Sequence, residues 1–152
     1  MNRLVVSALA ALFLSMSSLG CTSMAPPPGF ARLQANDDYC WRATSAEGVV
    51  LGIRREKNQP KGNLDFWASA VRYELERKGY EKVAIDRIRS ADGVEGRRLE
   101  YRTARQGRPF VLWATVYVTD SRVIVVEAGG DEAHFAGVEG TVEQAMRAVE
   151  AG

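Results

Sequence analysis

The spacing of hydrophobic and polar positions from residue 39 onward indicates a series of β-strands. Apolar and polar residues alternate with a period of two, as in strands that bury one face. The strands predicted from this pattern are, in chain order, Tyr39–Ser45, Val49–Arg55, Lys82–Arg89, Gly96–Arg105, Phe110–Thr119 and Val123–Ala128. Turn sequences containing Gly48, Gly93 and Gly107 separate neighbouring strands. The pair Gly129-Gly130 is predicted to end the last strand.

Two other stretches repeat their apolar positions at helical spacing. Asn63 can cap a helix that ends before Gly79. Its apolar stripe consists of Leu64, Trp67, Ala68, Val71 and Leu75. A second helix is predicted near the C-terminus from the spacing of Val138, Val142, Ala145, Met146 and Val149.

The last two predicted strands are apolar on both faces, and this feature defines the fold class. In Phe110–Thr119 both the even and the odd positions are mainly apolar, and Val123–Ala128 is similar. An antiparallel strand with one solvated face would alternate, so the centre of this sheet should be covered on both sides. The two helices are the elements that can cover it. The sequence therefore predicts an α+β fold, with an antiparallel sheet of about five to six strands between helices, an α/β/α sandwich.

The N-terminus is typical of a secretory signal peptide, because Arg3 precedes a charge-free stretch from Leu4 to Gly20. Ser23-Met24-Ala25 has small residues suited to ordinary signal peptidase, but Pro26 follows directly and should block cleavage. Ser18-Leu19-Gly20-Cys21 resembles a lipobox, at which the cysteine is lipidated and the chain is cut before it, although Leu19 stands one place later than the usual leucine. A retained signal anchor is the alternative, since the apolar stretch is marginal for a membrane span.

We therefore predict a lipoprotein signal peptide at 1–20, a Pro-rich tether at 21–29 and a single domain at 30–152. Acyl chains such as palmitate on Cys21 would hold the protein at a membrane of the cell envelope. By resemblance to enteric sorting rules, Thr22 after the cysteine favours the outer membrane, with the domain facing the periplasm.

The two cysteines leave a competing hypothesis. An exported protein could form a disulfide between Cys21 and Cys40, provided that it is cleaved upstream of Cys21 without lipidation. If Cys21 is lipidated, Cys40 is a lone thiol, and its position in a predicted strand favours a buried, inert one.

The charge balance gives no reason to expect a nucleic-acid partner. Lys and Arg number 20 against 19 Asp and Glu, which leaves a formal net charge of +1. The arginines are nevertheless dense between residues 87 and 108, and five of them form a candidate binding patch for anionic glycans, lipid headgroups or an acidic protein: Arg87, Arg89, Arg98, Arg102 and Arg105. The alternative interpretation is a solvated sheet edge on which arginines prevent edge pairing.

No catalytic motif is evident. His134 is the only histidine, so it could complete a hard-cation site with neighbouring carboxylates, whereas zinc sites usually need more His or Cys ligands. A polar loop is the simpler interpretation of this segment. Gly129-Gly130 lacks the spacing of a phosphate-binding loop. We expect no catalytic residue, metal or cofactor.

Several short signatures together resemble the PsbP-like fold, named for an extrinsic subunit of photosystem II. They are an early strand pair, a helix ending in Lys78-Gly79-Tyr80, a meander with Asp92-Gly93, the run Val125-Val126-Glu127-Ala128-Gly129 and a C-terminal helix. The resemblance covers roughly residues 30–150 and carries no catalytic motif. It implies a non-enzymatic accessory or binding domain, and relatives with this fold include many bacterial lipoproteins of unknown role.

These observations lead to two functional hypotheses. The first is a lipid-anchored accessory or binding domain of the cell envelope that contacts a protein or another envelope component. The alternative is a small-ligand or lipid carrier, with a pocket between helix and sheet lined by Trp41, Trp67 and Trp113.

The lipoprotein hypothesis predicts the intact mass of the protein in the membrane fraction. We expect the mass of residues 21–152 plus acyl chains, because cleavage precedes the lipidated cysteine. A mature mass without acyl chains would contradict the hypothesis, and an unacylated mass short of two hydrogens would favour the disulfide.

Overall fold

The computed structural model describes residues 24–152, so the predictions for the signal peptide and for Cys21 lie outside the described residues. The strands are β1 (Phe30–Leu33), β2 (Trp41–Ser45), β3 (Val50–Lys57), β4 (Glu81–Arg89), β5 (Glu95–Arg105), β6 (Arg108–Val118) and β7 (Arg122–Asp131). The helices are α1 (Leu64–Arg77), which lies between β3 and β4, and α2 (Glu132–Ala136) and α3 (Glu139–Arg147), which follow β7.

The seven strands form one antiparallel sheet in the order β1-β2-β3-β7-β6-β5-β4. All six predicted strands are present, with shifted ends, but the sheet is larger than expected because β1 was not predicted. Only four residues long, β1 pairs with β2 from Phe30 opposite Ser45 to Leu33 opposite Arg42. Four residues are too few to show a two-residue period convincingly.

The prediction that Gly129-Gly130 ends a strand is wrong, because β7 continues through both glycines to Asp131. A Cβ atom on Gly130 would lie 2.9 Å from a methyl carbon of Val49. Gly130 therefore permits close packing within the sheet, and glycine inside a strand often marks such a close approach.

The buried side chains form two clusters, and alternate residues of β6 contribute to each. Val111, Trp113 and Tyr117 belong to one cluster, and we call their side of the sheet the first face. Leu112, Ala114 and Val116 belong to the other, on the second face. The first cluster includes Phe135 of α2 and Val142, Ala145 and Met146 of α3. The second includes Leu75 of α1, with Leu64, Trp67 and Val71 packed against it.

Helix α1 begins and ends as the sequence predicted. The side chain of Asn63 accepts a hydrogen bond from the backbone N–H of Phe66 at 2.9 Å, which caps the helix. Gly79 has a φ of +86°, the left-handed conformation that commonly follows a helix. The helix packs on β4, β5 and β6.

The C-terminal helix α3 is shorter than its apolar pattern suggested, and the segment before it differs from the prediction. His134 lies in the five-residue helix α2 rather than in a polar loop. This helix forms because Phe135 is buried against Trp113, with the ring centres 5.1 Å apart in an edge-on arrangement. Phe135 is the one large apolar residue in these five positions, so the segment shows no helical periodicity and the hydrophobic pattern could not predict a helix.

A buried asparagine connects α1 to the sheet. The amide nitrogen of Asn58 donates to the carbonyl oxygens of Gly62 and Thr119, at 3.0 and 2.9 Å. Its amide oxygen accepts from the backbone N–H of Gly62 and from Trp67 Nε1, at 2.8 and 2.7 Å. The residue is 5% exposed and fully hydrogen-bonded, so it joins the start of α1 to the turn between β6 and β7.

We predict that Asn58→Ala lowers the free energy of unfolding by about 2–4 kcal/mol, because four partly buried polar groups lose their partner. Urea denaturation measures the change. Asn63→Ala is the control, since it removes an exposed helix cap and should cost only about 1 kcal/mol. Equal effects of the two substitutions would show that Asn58 does not make this connection.

Candidate functional site

A groove of about 280 Å³ opens on the second face, beside the area that α1 covers. Helix α1 packs on β4, β5 and β6, and its Leu64 and Trp67 pack against the cluster that contains Val123 and Val125 of β7. The groove takes in Glu127 and Gly129 in the second half of β7. Its other lining residues are Tyr39, Arg42, Gly48, Val50, Gly52, Arg105, Phe110 and Leu112. We call this set the sheet-face groove.

Strand register places the groove residues on one side of the sheet. Glu127 lies opposite Ala114, and Gly129 lies opposite Leu112. Gly52 lies opposite Glu127 in the pairing of β3 with β7. Because side chains directly opposite one another project to the same side, the groove shares its face with the cluster that contains Leu75 of α1.

Two aromatic rings lie directly against glycines of the groove. A Cβ atom on Gly52 would be 2.5 Å from the ring of Tyr39, and one on Gly129 would be 3.1 Å from the ring of Phe110. Larger residues at these two positions would therefore displace the rings into the groove. The glycines give the groove its depth.

Glu127 is a carboxylate in a central strand, and both its oxygens are bound. Tyr39 Oη donates to Oε2 at 2.5 Å, and Arg54 Nη2 donates to Oε1 at 2.9 Å. The Glu127 side chain is only 14% exposed, so these bonds offset much of the cost of removing the charge from water. Burial and the hydrogen bond to Glu127 raise the pKa of Tyr39 to about 12, which keeps the phenol protonated near neutral pH.

Arginines stand at both sides of the groove. Arg42 belongs to β2, and Arg105 is the last residue of β5. The Arg105 guanidinium lies 4.0 Å from the centre of the Phe110 ring, and its Nη2 donates to Tyr80 Oη at 2.6 Å. Stacking on Phe110 and the bond to Tyr80 favour an orientation of this exposed guanidinium at the mouth of the groove.

The structure does not bring the five arginines of the predicted patch together. Arg98 and Arg102 are an even number of residues apart on β5, so they share a face, while Arg105 lies on the opposite one. Arg87 is paired with Arg97 in register, and Arg89 donates to the carbonyl oxygen of Gly93 at 3.1 Å. Only Arg105 of the five lines the sheet-face groove.

Arg98 and Arg102 are engaged in ion pairs. Arg98 lies within 3.3 Å of Asp86, 2.9 Å of Glu100 and 3.4 Å of Glu143, and its guanidinium is 4.6 Å from the centre of a Trp113 ring. Arg102 pairs with Glu132 at 3.0 Å. Burial raises the pKa of Glu100, although Arg98 opposes that shift.

The remaining predicted site residues are dispersed. Trp41 and Trp113 belong to the first cluster and Trp67 packs against the second, so the three tryptophans do not line one cavity. Cys40 is disulfide-bonded and thus is not a lone thiol, with its Sγ atom 3.3 Å from the carbonyl oxygen of Ile53. Lipidation of Cys21 stays a prediction.

Residues 24–152 show neither a metal-ligand cluster nor a membrane-spanning helix. In this part of the chain, no three His, Cys, Asp or Glu side chains are grouped closely enough to hold a metal ion. None of the helices described there has the length and hydrophobicity needed to span a bilayer.

In the sequence, Glu127 was identified only as part of the run Val125-Val126-Glu127-Ala128-Gly129, and its hydrogen-bond partners were not predicted. Tyr39 precedes it by 88 residues, so spacing along the chain cannot connect the two. The available signal was the position of Glu127 inside an apolar strand, because a charge there requires partners from other strands.

We predict that Glu127→Gln lowers the free energy of unfolding by about 1–3 kcal/mol, because Arg54 loses its charged partner in a partly buried setting. Urea denaturation checks this prediction. Glu47→Gln makes the same chemical change at an exposed turn and should alter stability by less than about 0.5 kcal/mol. A neutral result for Glu127→Gln would mean that water replaces the contact.

No family model matches the chain, and no curated protein matches it. Solved structures do. The chain is similar to PA94, a protein of unknown function from Pseudomonas aeruginosa, with 16% identity and a TM-score of 0.60 over 86% of this chain and 88% of that one. It is similar to LpqN, involved in cell envelope biogenesis of Mycobacterium tuberculosis, with 9% identity and a TM-score of 0.62 over 79% and 78%.

A further similar structure is the cyanobacterial PsbP, CyanoP, from Synechocystis sp. PCC 6803. Identity is 13% and the TM-score is 0.53, over 78% of this chain and 79% of that one. At these identities the likeness concerns the fold alone. Together with the seven-stranded antiparallel sheet and its three helices, it confirms the resemblance noted in the sequence: the chain has the PsbP-like fold.

Proposed function

We propose that the protein is a non-enzymatic accessory or binding domain of the cell envelope, and that the sheet-face groove is its binding surface. The single observation that carries this proposal is the open part of the second face next to α1. Next to the groove, residues 113–117 of β6 and 123–126 of β7 are buried. In the groove, half-buried Val50, Phe110 and Leu112 lie beside charged arginines, a combination that suits recognition of a partner.

The chemistry of the groove supports binding rather than catalysis. A general acid or base works best when its pKa lies near the working pH. The Tyr39 phenol has a pKa of about 12, and both Glu127 oxygens already accept hydrogen bonds from protein groups. Neither group is set up to exchange a proton with a substrate near neutral pH.

We infer that the domain is a two-sided α/β/α sandwich. Its support is the division of the core into two clusters to which α1 and the α2–α3 pair contribute separately. A helix on each face accounts for the apolar residues on both sides of β6 and β7.

The anchor is proposed from the sequence of residues 1–29 for a form of the protein without the Cys40 disulfide, because Cys21 is the other cysteine of the sequence and its sulfur cannot hold both lipid and a disulfide. Lipid on Cys21, followed by the proline-rich tether, would hold the domain at an envelope membrane, and Thr22 favours the outer membrane with the domain in the periplasm. LpqN, a structural neighbour, is described as involved in cell envelope biogenesis, which agrees with such a location.

The carrier hypothesis has less support. Ligand pockets typically enclose about 300–1,000 Å³ and bury most of their ligand. The sheet-face groove measures about 280 Å³ and is open on one side. An acyl chain lying in it would stay exposed to water along much of its length.

Site-specific photocrosslinking tests the proposed binding surface. We expect a benzoylphenylalanine in place of Val50, produced in the full chain in its own host, to give a defined adduct in the envelope. The same residue in place of Tyr73 is the control, because Tyr73 is 66% exposed on α1 and lies outside the groove. Identical adducts at both positions, or none at position 50, would contradict the proposal.

A further inference from the structure

We propose that the sheet-face groove binds an acidic side chain, Asp or Glu, on an extended segment of a partner protein. The proposal rests on the proposed function of this groove as the binding surface. It adds the chemistry of what is bound.

The groove carries positive charge that no carboxylate pairs with. Within residues 24–152, neither Arg42 nor Arg105 forms an ion pair. Both line the groove. The Glu127 carboxylate does not neutralise them, because Tyr39 and Arg54 already bind its two oxygens. The groove therefore has two guanidinium groups available for an anion, and arginine binds carboxylates through two parallel hydrogen bonds.

The Arg105 guanidinium is partly oriented before any ligand binds. It lies 4.0 Å from the centre of the Phe110 ring and donates to Tyr80 Oη at 2.6 Å. A guanidinium already fixed in orientation loses less side-chain entropy when it binds a ligand. The bond to Tyr80 uses one of its donors, so the other N–H groups remain for a carboxylate.

The open shape of the groove suits an extended polypeptide. The groove is a shallow trough that contacts its ligand from one side, with apolar Val50 and Leu112 between the arginines. An extended polypeptide presents alternate side chains to one surface. An acidic residue could then meet the arginines while an apolar neighbour two positions away lies on Val50 and Leu112.

The position of Met24 favours a protein ligand over a lipid headgroup. Trp41 Nε1 donates to the carbonyl oxygen of Met24 at 2.7 Å, and Met24 packs on the first-face cluster. The chain thus enters the domain on the first face, while the groove opens on the second. A membrane attachment leading from Met24 therefore starts on the side of the sheet away from the groove.

The experiment uses fluorescence anisotropy with the purified full chain. The probe is a labelled peptide that alternates Glu and Leu, compared with the same peptide carrying Gln in place of Glu. We expect the Glu peptide to bind roughly tenfold more tightly or better, because a charge-assisted hydrogen bond is stronger than a neutral one. Added salt should weaken the binding of the Glu peptide and leave the Gln peptide little affected.

Substitutions locate the effect. The double variant Arg42→Gln/Arg105→Gln should lower affinity for the Glu peptide roughly tenfold, to the level of the Gln peptide. Arg87→Gln/Arg89→Gln removes the same charge from exposed positions on β4 and should leave affinity unchanged. Arg42→Lys/Arg105→Lys keeps the charge without the planar fork, and we expect intermediate affinity. An unchanged melting temperature shows that each variant is folded.

Three results would overturn the proposal: equal affinity for the Glu and Gln peptides, equal loss in the groove and β4 variants, or groove-dependent binding to phosphatidylglycerol vesicles instead of the peptide. A specific crosslink from position 50 together with equal peptide affinities would leave the binding surface standing and remove only the acidic ligand. Absence of the crosslink with selective peptide binding would instead challenge the envelope role.

Discussion

The path of α1 across the sheet is the constraint on which the rest of the structure depends. The helix leaves β3, which is inside the sheet, and must reach β4 at the far edge, four strand positions away. That distance is about 19 Å at the usual strand spacing. Fourteen helical residues span about 21 Å. The length of α1 therefore matches the crossing, and Asn58 fixes its starting point by joining the helix to the turn between β6 and β7.

A single diagonal helix cannot cover the whole second face, and this explains the groove. Helix α1 packs on β4, β5 and β6, so the part of the second face on β2, β3 and the second half of β7 remains open. The Glu127 carboxylate can lie in this open part of β7 because it is near water and accepts hydrogen bonds from Tyr39 and Arg54. On the same face of β7, Val123 and Val125 belong to the cluster on which α1 packs, whereas Glu127 lines the groove.

Local pattern predicted most of the fold, because long strands and α1 carry enough periodic positions to be recognised. It missed β1 and α2, which are four and five residues long, and it misinterpreted Gly129-Gly130 as a strand end. The sheet-face groove could not be predicted from the local pattern, for a different reason. The contact between Tyr39 and Glu127 depends on the register of β3 against β7 and on the Tyr39 ring lying over Gly52. Neither the strand register nor the position of the Tyr39 ring can be deduced from the spacing of residues along one segment.

Three arginines of strand β5 have a structural role outside the groove, which Arg105 of the same strand lines. Arg97 pairs with Asp65 of α1 at 3.3 Å, Arg98 with Glu143 of α3 at 3.4 Å, and Arg102 with Glu132 of α2 at 3.0 Å. One strand thus has an ion pair to each helix. The more exposed pairs are each worth little, but Arg98, whose side chain is 14% exposed, lies in a drier setting where the pairing matters more. Arg97, Arg98 and Arg102 of the arginine-rich stretch therefore attach helices to the sheet. Arg105, at the end of β5, instead lines the groove with Arg42, and within residues 24–152 neither of these two forms an ion pair.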